Sequence, residues 1–276
     1  MTLLLPAHLL ESSPQWFPYF GNQRRFVPFV KELLVGLGAR EGDTIFETNA
    51  GSHAISYHLA IEMGMHPIAN DIGFYSCNIG TALSRQRTEA SVLVAAKGAA
   101  LIEKFGYNPP QDSIPDQLLV DKWKQFIREQ IPAKNYRVIR DNLFDSLEQF
   151  QGKFIYCDFA WPWRDGTYTS EYETTADTLG KLLGDETLCT FKIASARRIL
   201  QDVIAYLDAA RKRYEFVILS NQSSNYPIPE VLEAHMVACG HSPIISRRQT
   251  VPAEHVDNLG NDLYFTEYQY VFEGRL

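Results

Sequence analysis

Between Asp43 and Asp71 the chain reads as strand, small-residue turn, helix and a second strand ending on an acid. Asp43–Glu47 (DTIFE) has the short apolar character of a buried strand, and Asn49-Ala50-Gly51-Ser52 is a turn. His53–Met63 offers Ile55, Leu59, Ile61 and Met63 to a core, and Met65–Asp71 (MHPIAND) returns as a strand. This succession is the first half of a doubly wound α/β sheet, in which ligands gather at the carboxyl ends of the strands. Asp71 follows the turn by about 20 residues, the spacing from which an acid reaches ribose hydroxyls. A structural turn followed by a surface aspartate has the same pattern, so both readings stand at this point.

Strand and helix alternate again further on. Gln23–Gly36 has Phe26, Phe29, Val30, Leu33 and Leu34 at helical spacing, with Pro28 tolerable where the helix begins. Arg137–Asp141 and Phe154–Asp158 read as strands closing on an acid, and Phe216–Ser220 as another strand. Ile199–Ala210 and Val231–Cys239 read as helices, with closing strands over Ser242–Arg247 and Leu263–Phe272. The stretch from Gly73 to Lys134 is different, being mostly helical in composition, with Ala90–Phe105 rich in Ala, Val, Leu and Lys, Gln117–Gln130 amphipathic, and a break at Asn108–Asp112. These patterns predict a cofactor-binding catalytic domain of residues 1–72 and 135–276, with 73–134 as a helical insert.

Charge bears on partners. The 276 residues carry a net charge of −7, yet Gly73–Arg140 holds ten Lys and Arg against six Asp and Glu, leaving −11 for the remainder. A basic insert in an acidic chain gives a local electrostatic footprint for nucleic acid, which uneven surface charge alone also produces. No run reaches the ~20 apolar residues of a membrane span. The four cysteines (Cys77, Cys157, Cys189, Cys239) are far apart and form no C-x-x-C pair, which fits a cytoplasmic protein with free thiols. His235 and His241 have no obvious ligand partners, so no metal is expected.

Asp71, Asp141 and Asp158 thus stand at three strand ends, and the last runs into Phe159-Ala160-Trp161-Pro162-Trp163. Tryptophans beside a carboxylate make a flat apolar slot with one polar anchor, suited to a planar heteroaromatic ring bearing an exocyclic amine. Tryptophans capping a sheet edge give the same composition.

The order of the pieces resembles the S-adenosylmethionine-dependent methyltransferases that act on the N6 amine of adenine in DNA. Tyr19-Phe20-Gly21-Asn22-Gln23-Arg24-Arg25 is similar to that family's Y-x-G-G-K-R-x-L opening, and Phe46–His53 (FETNAGSH) to its F-x-D-x-F-x-G-S-G cofactor loop. Asn70-Asp71 matches its Asn-Asp, and Asp158-Phe159-Ala160-Trp161 stands where it carries Asp-Pro-Pro-Tyr. Leu219-Ser220-Asn221 stands at its Leu-Ser-Tyr-Asn, and Tyr264–Glu267 resembles its closing strand. Three departures accompany the likeness: Gln23 for Lys, His53 for Gly at the cofactor turn, where a side chain crowds the backbone, and Phe159-Ala160 for two prolines.

The resemblance implies a seven-stranded, mostly parallel, methyltransferase-like (Rossmann-like) sheet with a helical insert, and S-adenosylmethionine as cofactor. It implies that Tyr19, Gly21, Gln23, Glu47, Asn49, Gly51, Ser52, Asp71 and Asp141 lie around that cofactor; Asp141 equally suits capping the next helix. Asp158 and the Phe159 carbonyl would accept the amine hydrogens of a base flipped out of duplex DNA, and Trp161 would stack on it. Arg85, Arg87, Lys122, Lys124 and Arg128 of the insert, with Ser220 and Asn221, are the candidates for substrate contacts. Two alternatives remain open: a degenerate relative that binds cofactor or DNA without transfer, motivated by the three departures, and a methyltransferase acting on RNA or a small amine, motivated by the acidic chain.

Overall fold

The computed structural model describes residues 16–19, 23–107, 109–159, 161–162, 170–185, 198–256 and 262–275. Its strands follow the order β3-β2-β1-β4-β5-β7-β6 in a seven-stranded sheet. They are β1 (Thr44–Glu47), β2 (His66–Asp71), β3 (Arg137–Arg140), β4 (Gly152–Asp158), β5 (Tyr214–Gln222), β6 (Ile245–Val256) and β7 (Asp262–Glu273). The helices are α1 (Val27–Gly36), α2 (Ala54–Glu62), α3 (Phe74–Leu83), α4 (Glu89–Phe105), α5 (Gln117–Glu129), α6 (Leu143–Gln149), α7 (Ser170–Leu182), α8 (Ile199–Ala210) and α9 (Pro229–Ala238). The mostly parallel seven-stranded α/β sheet with a helical insert is therefore observed. The chain divides into two compact units, one holding β1–β3 with α1–α7 and the other β4–β7 with α8 and α9.

In the first unit β1 pairs parallel with β2 (Phe46 opposite Ile68) and β2 parallel with β3 (Ile68 opposite Arg137). Ile45 and Phe46 are buried on opposite faces of β1, so helices cover both. A 3-10 turn over Gln23–Phe26 leads into α1, whose Pro28 sits in the first helical turn, where its missing N–H costs nothing. Helix α1 buries Phe29, Val30, Leu33 and Leu34 as the spacing predicts, together with Val27, while Phe26 is buried from the 3-10 turn before it.

Helices α3, α4 and α5 fill residues 74–129. Thr88 and Ser91 form a reciprocal capping box at the start of α4, and Asp116 caps α5 by accepting from the Leu118 amide at 2.9 Å. Gly98 is required where α4 meets Tyr75 of α3, because a Cβ there would lie 2.3 Å from the tyrosine ring.

In the second unit β4 and β5 run parallel, with Asp158 opposite Ser220, and β7 joins β5 and β6 antiparallel. Helix α8 buries Ile199, Val203, Tyr206, Leu207 and Ala210, one face at 3.6-residue spacing. Strands β6 and β7 extend beyond the stretches expected from sequence. Pro252 falls inside β6, beside a register irregularity, which an edge strand tolerates because its outer amides pair with nothing in the sheet. Helices α6 and α7 have no counterpart in the sequence reading. Leu143–Gln149 is a seven-residue element opened by Asn142, whose side chain accepts from the Phe144 amide at 3.0 Å.

Candidate functional site

Two groups of expected residues gather at strand ends, one in each unit. In the first unit the turn after β1 carries left-handed backbone at Gly51 (φ 52°) and His53 (φ 59°). Asp71, at the end of β2, braces it: Oδ2 accepts from the Gly51 amide and Oδ1 from the Gly73 amide, both at 2.8 Å. Burial pushes the Asp71 carboxyl above its ordinary range, while the amides of Gly73 and Gly51 pull the other way. The Ser76 hydroxyl and the Ile72 amide also act as donors to this carboxyl and favour its ionised form.

Glu47, at the end of β1, accepts from the backbone amide of Ser56 at 3.1 Å and from its hydroxyl. It thus supplies the cap that α2 lacks locally, since His53 makes no side-chain cap. Tyr19 lies against the turn: a Cβ at Gly51 would stand 3.1 Å from its ring, and one at Gly73 3.6 Å from its hydroxyl. Gln23 and Ser52 are buried, and the Ser52 carbonyl accepts from Trp16 Nε1 at 3.1 Å. Asn49 lies in the same turn, and Gly21 is outside the described residues.

The crowding expected from His53 does not occur. Its left-handed backbone is the one a glycine would adopt, and its ring turns inward rather than over the turn. The imidazole is fully buried, with Nδ1 bonded to the Tyr136 hydroxyl and Nε2 3.1 Å from Ser76 Oγ. Ser76 in turn donates to the Gly51 carbonyl at 2.6 Å, so the histidine supports the turn from behind. Gly80 makes room for the ring, since a Cβ there would lie 2.5 Å from His53 Cε1. Burial lowers the His53 pKa to about 3, the bond with Ser76 opposing it.

Asn70 was quoted only as part of a motif, yet it fastens the ends of three strands. Its amide nitrogen donates to the Thr48 and Asp141 carbonyls, both at 3.1 Å, and its oxygen accepts from the Asp141 amide at 3.0 Å. The Asp141 side chain accepts from the Asn142 amide at 2.8 Å and from Gln149 of α6, so in this structure it serves the α6 entry.

In the second unit Asp158 ends β4. Trp161 Nε1 donates to Asp158 Oδ1 at 3.2 Å and to the Ser220 carbonyl at 3.0 Å. The Trp161 amide donates to the Phe159 carbonyl at 2.8 Å, closing a tight turn without either proline. Phe159 packs edge-on to Tyr206 of α8, with ring centroids 5.3 Å apart. The loop is therefore held by packing and by the indole. The Phe159 carbonyl thus accepts one hydrogen bond from within its own loop. Ala160 and Trp163 lie outside the described residues. Ser220 bridges Asp158 and Glu267, whereas Asn221 turns away. Asn221 donates to the Pro227 carbonyl at 3.2 Å and accepts from Asn225 at 3.0 Å and the Gln222 amide at 2.8 Å.

Four of the five insert cations have partners within the protein. Arg87 donates to the Ala82 and Gln130 carbonyls, Lys122 pairs with Glu103 at 2.7 Å, Arg128 with Glu89 at 2.9 Å and Lys124 with Asp121 at 3.7 Å. Arg85 is exposed. Ion pairs at the surface contribute only about 0–1 kcal/mol, so phosphate could displace them. Among the described residues no cluster of three metal-ligating side chains occurs, and no described helix is long and apolar enough to cross a membrane.

No family model matches the chain, and no curated protein matches it. Solved structures do show similarity. A Pyrococcus horikoshii protein provisionally described as an RNA methyltransferase is 13% identical, with a TM-score of 0.46 over 98% of this chain and 96% of its own. A precorrin-6y C5,15-methyltransferase from Geobacter metallireducens is 8% identical, with a TM-score of 0.44 over 93% and 94%. The METTL16 methyltransferase domain is 9% identical, with a TM-score of 0.44 over 92% of this chain and 71% of its own.

Proposed function

We propose that the chain is an S-adenosylmethionine-dependent methyltransferase whose acceptor is an amine nitrogen, with adenine N6 in DNA as the first acceptor to test. The observation that carries the reading is the turn after β1. Its left-handed Gly51 is tied to Asp71 at the end of β2, and Tyr19 lies over it. This supports a cofactor site at the carboxyl ends of β1 and β2. The donor set fits: Asp71 places a carboxylate at the end of β2, the position from which an acid meets ribose hydroxyls, and Tyr19 brings a hydroxyl and a ring face.

When bound, S-adenosylmethionine supplies an electrophilic methyl group on a sulfonium centre. The residues of the second unit provide for the acceptor. An aromatic amine is a weak nucleophile because its lone pair is delocalised into the ring. Asp158 and the Phe159 carbonyl would accept its two hydrogens, which favours a more tetrahedral nitrogen. Trp161 holds Asp158 through its N–H and is buried, so its contribution is to fix the carboxylate as much as to meet a ring.

A small amine or RNA acceptor is the second reading. The internal pairing of Arg87, Lys122, Lys124 and Arg128, in a chain of net charge −7, favours a small amine over either nucleic acid.

Calorimetric titration with S-adenosylhomocysteine tests the cofactor site. Binding by the wild type and loss of it in a folded Asp71→Asn variant are expected, and absence of binding by the wild type overturns the reading. Labelled-methyl transfer to duplex DNA, RNA and small amines then separates the acceptors.

A further inference from the structure

Strand β7 places two buried polar residues, Glu267 and Gln269, on the face of the sheet that carries Ser220. Glu267 is fully buried. Its Oε1 is hydrogen bonded to Ser220 Oγ, and the Gln222 side chain beside it is the other donor to the carboxyl, although Oε2 makes no hydrogen bond of ordinary geometry among the described residues. The same Ser220 Oγ lies 3.4 Å from Asp158 Oδ1. Two carboxyl groups therefore face one hydroxyl, which has a single proton to give.

If both acids were ionised, the hydroxyl could donate to one and would present a lone pair to the other. An ionised Glu267 would also bury a charge beside a second carboxylate, with only the Ser220 hydroxyl and the Gln222 side chain to offset it, which is costly. The charges facing the pair do not relieve this. Asp158 comes from β4, Gln222 lies beside Glu267 on β5, and Gln249 stands opposite it on β6. Arg247 of β6 is registered opposite Gln269 rather than Glu267, and it makes other interactions. A proton on Glu267 resolves the arrangement: the carboxyl donates to Ser220, and Ser220 donates to Asp158. The proton belongs on Glu267 because Asp158 is partly exposed and has the Trp161 N–H as a second donor. Burial first and the Asp158 charge second also hold the Glu267 carboxyl well above the usual carboxylate range.

We propose that Glu267 is a positioning residue: protonated, and acting through the Ser220 hydroxyl, it holds Asp158 ionised and aims its carboxylate. Trp161 and Ser220 together then fix Oδ1. The chain of donors concerns Asp158 whatever acceptor it serves; its use in methyl transfer rests on the function proposed above.

The test is a carbon-13 NMR titration of side-chain carboxyls in the full-length protein without cofactor, with Glu267→Gln and Asp158→Asn providing assignments. Glu267 is expected to stay protonated through neutral pH while Asp158 is ionised. Glu267→Gln replaces a neutral donor by a neutral donor, so the Asp158 midpoint is expected to move by less than about half a unit. Ser220→Ala removes the donor to Asp158 and is expected to raise that midpoint by about one unit, with Ser220→Thr restoring it. A Glu267 midpoint near the ordinary value of about 4.3 overturns the proposal. So does a drop of about one unit in the Asp158 midpoint on Glu267→Gln, since that reports removal of a neighbouring negative charge. A folded Ser220→Ala protein with an unchanged Asp158 midpoint overturns it as well. Should Ser220→Ala fail to fold by circular dichroism, the Glu267 midpoint and the Glu267→Gln shift decide. Cofactor binding, measured separately on the same samples, reports on the methyltransferase reading alone.

Discussion

His53 should make this protein sensitive to mild acid, and by an amount that the structure sets. The ring is buried and neutral in the folded state, with a pKa of about 3, against 6.5 for an exposed histidine. The folded pKa is depressed, so below 6.5 the unfolded chain takes up a proton that the folded chain refuses. Stability is therefore retained above pH 6.5 and lost as pH falls from there toward 3. For one such group the loss between pH 7 and pH 5 is about 2 kcal/mol, approaching about 1.4 kcal/mol for each further pH unit until the folded ring titrates. His53→Asn removes the titration while keeping a residue type that accepts left-handed backbone. The variant should be less stable at pH 8, because Tyr136 and Ser76 lose a partner, but its stability should fall about 2 kcal/mol less than that of the wild type between pH 7 and pH 5. Urea unfolding at the two pH values measures this. Other carboxylates and histidines contribute to both proteins and cancel in the comparison. Equal losses in wild type and variant would refute the assignment of a buried neutral imidazole.

Further outcomes follow from the same geometry. Gly80→Ala would push a methyl to within 2.5 Å of His53 Cε1 and 2.8 Å of Val138 Cγ2, and should cost about 1–3 kcal/mol, read as a lower melting temperature. Asp71→Asn should weaken the turn by about 1–3 kcal/mol, since its NH2 cannot accept and one of the Gly51 and Gly73 N–H groups loses its acceptor, and calorimetry should show cofactor binding lost with it. Arg87→Ala should lower the melting temperature because it strips donors from the Ala82 and Gln130 carbonyls. Arg85→Ala should leave it unchanged, so any loss of duplex affinity in Arg85→Ala belongs to binding alone.

Much of the scaffold was legible because its signals are local. The stripe of Phe26 to Leu34, the small-residue turn at Asn49–Ser52 and the apolar runs of β1, β2, β4 and β5 each declare themselves within a dozen residues. Helix α6 was missed because seven residues with two buried side chains show too little periodicity to register. The site was legible as a set of strand-end acids and illegible in their allegiances. Nothing in the sequence shows that Asp71 also braces Gly51 or that Asp141 receives Gln149. The polar residues of β7 were missed for a related reason. Glu267 and Gln269 alternate with tyrosines, a period-two pattern ordinarily read as a solvated face, whereas here both are buried. His53 carried a usable signal: histidine where a glycine is expected at a left-handed turn requires somewhere for its ring to go, and Gly80 supplies the space.

The capping of α2 by Glu47 has a consequence for how the chain acquires its structure. A helix of nine residues is too short to persist in water by itself, and the donor-rich end of this one is satisfied from a strand rather than from its own flank. Helix α2 therefore cannot be an early, autonomous nucleus. It must consolidate together with β1, when the strand fixes Glu47 in place. A synthetic peptide spanning Ala54–Glu62 should be unstructured by circular dichroism, and destabilisation by Glu47→Ala should appear in the folding rate as well as in the unfolding rate.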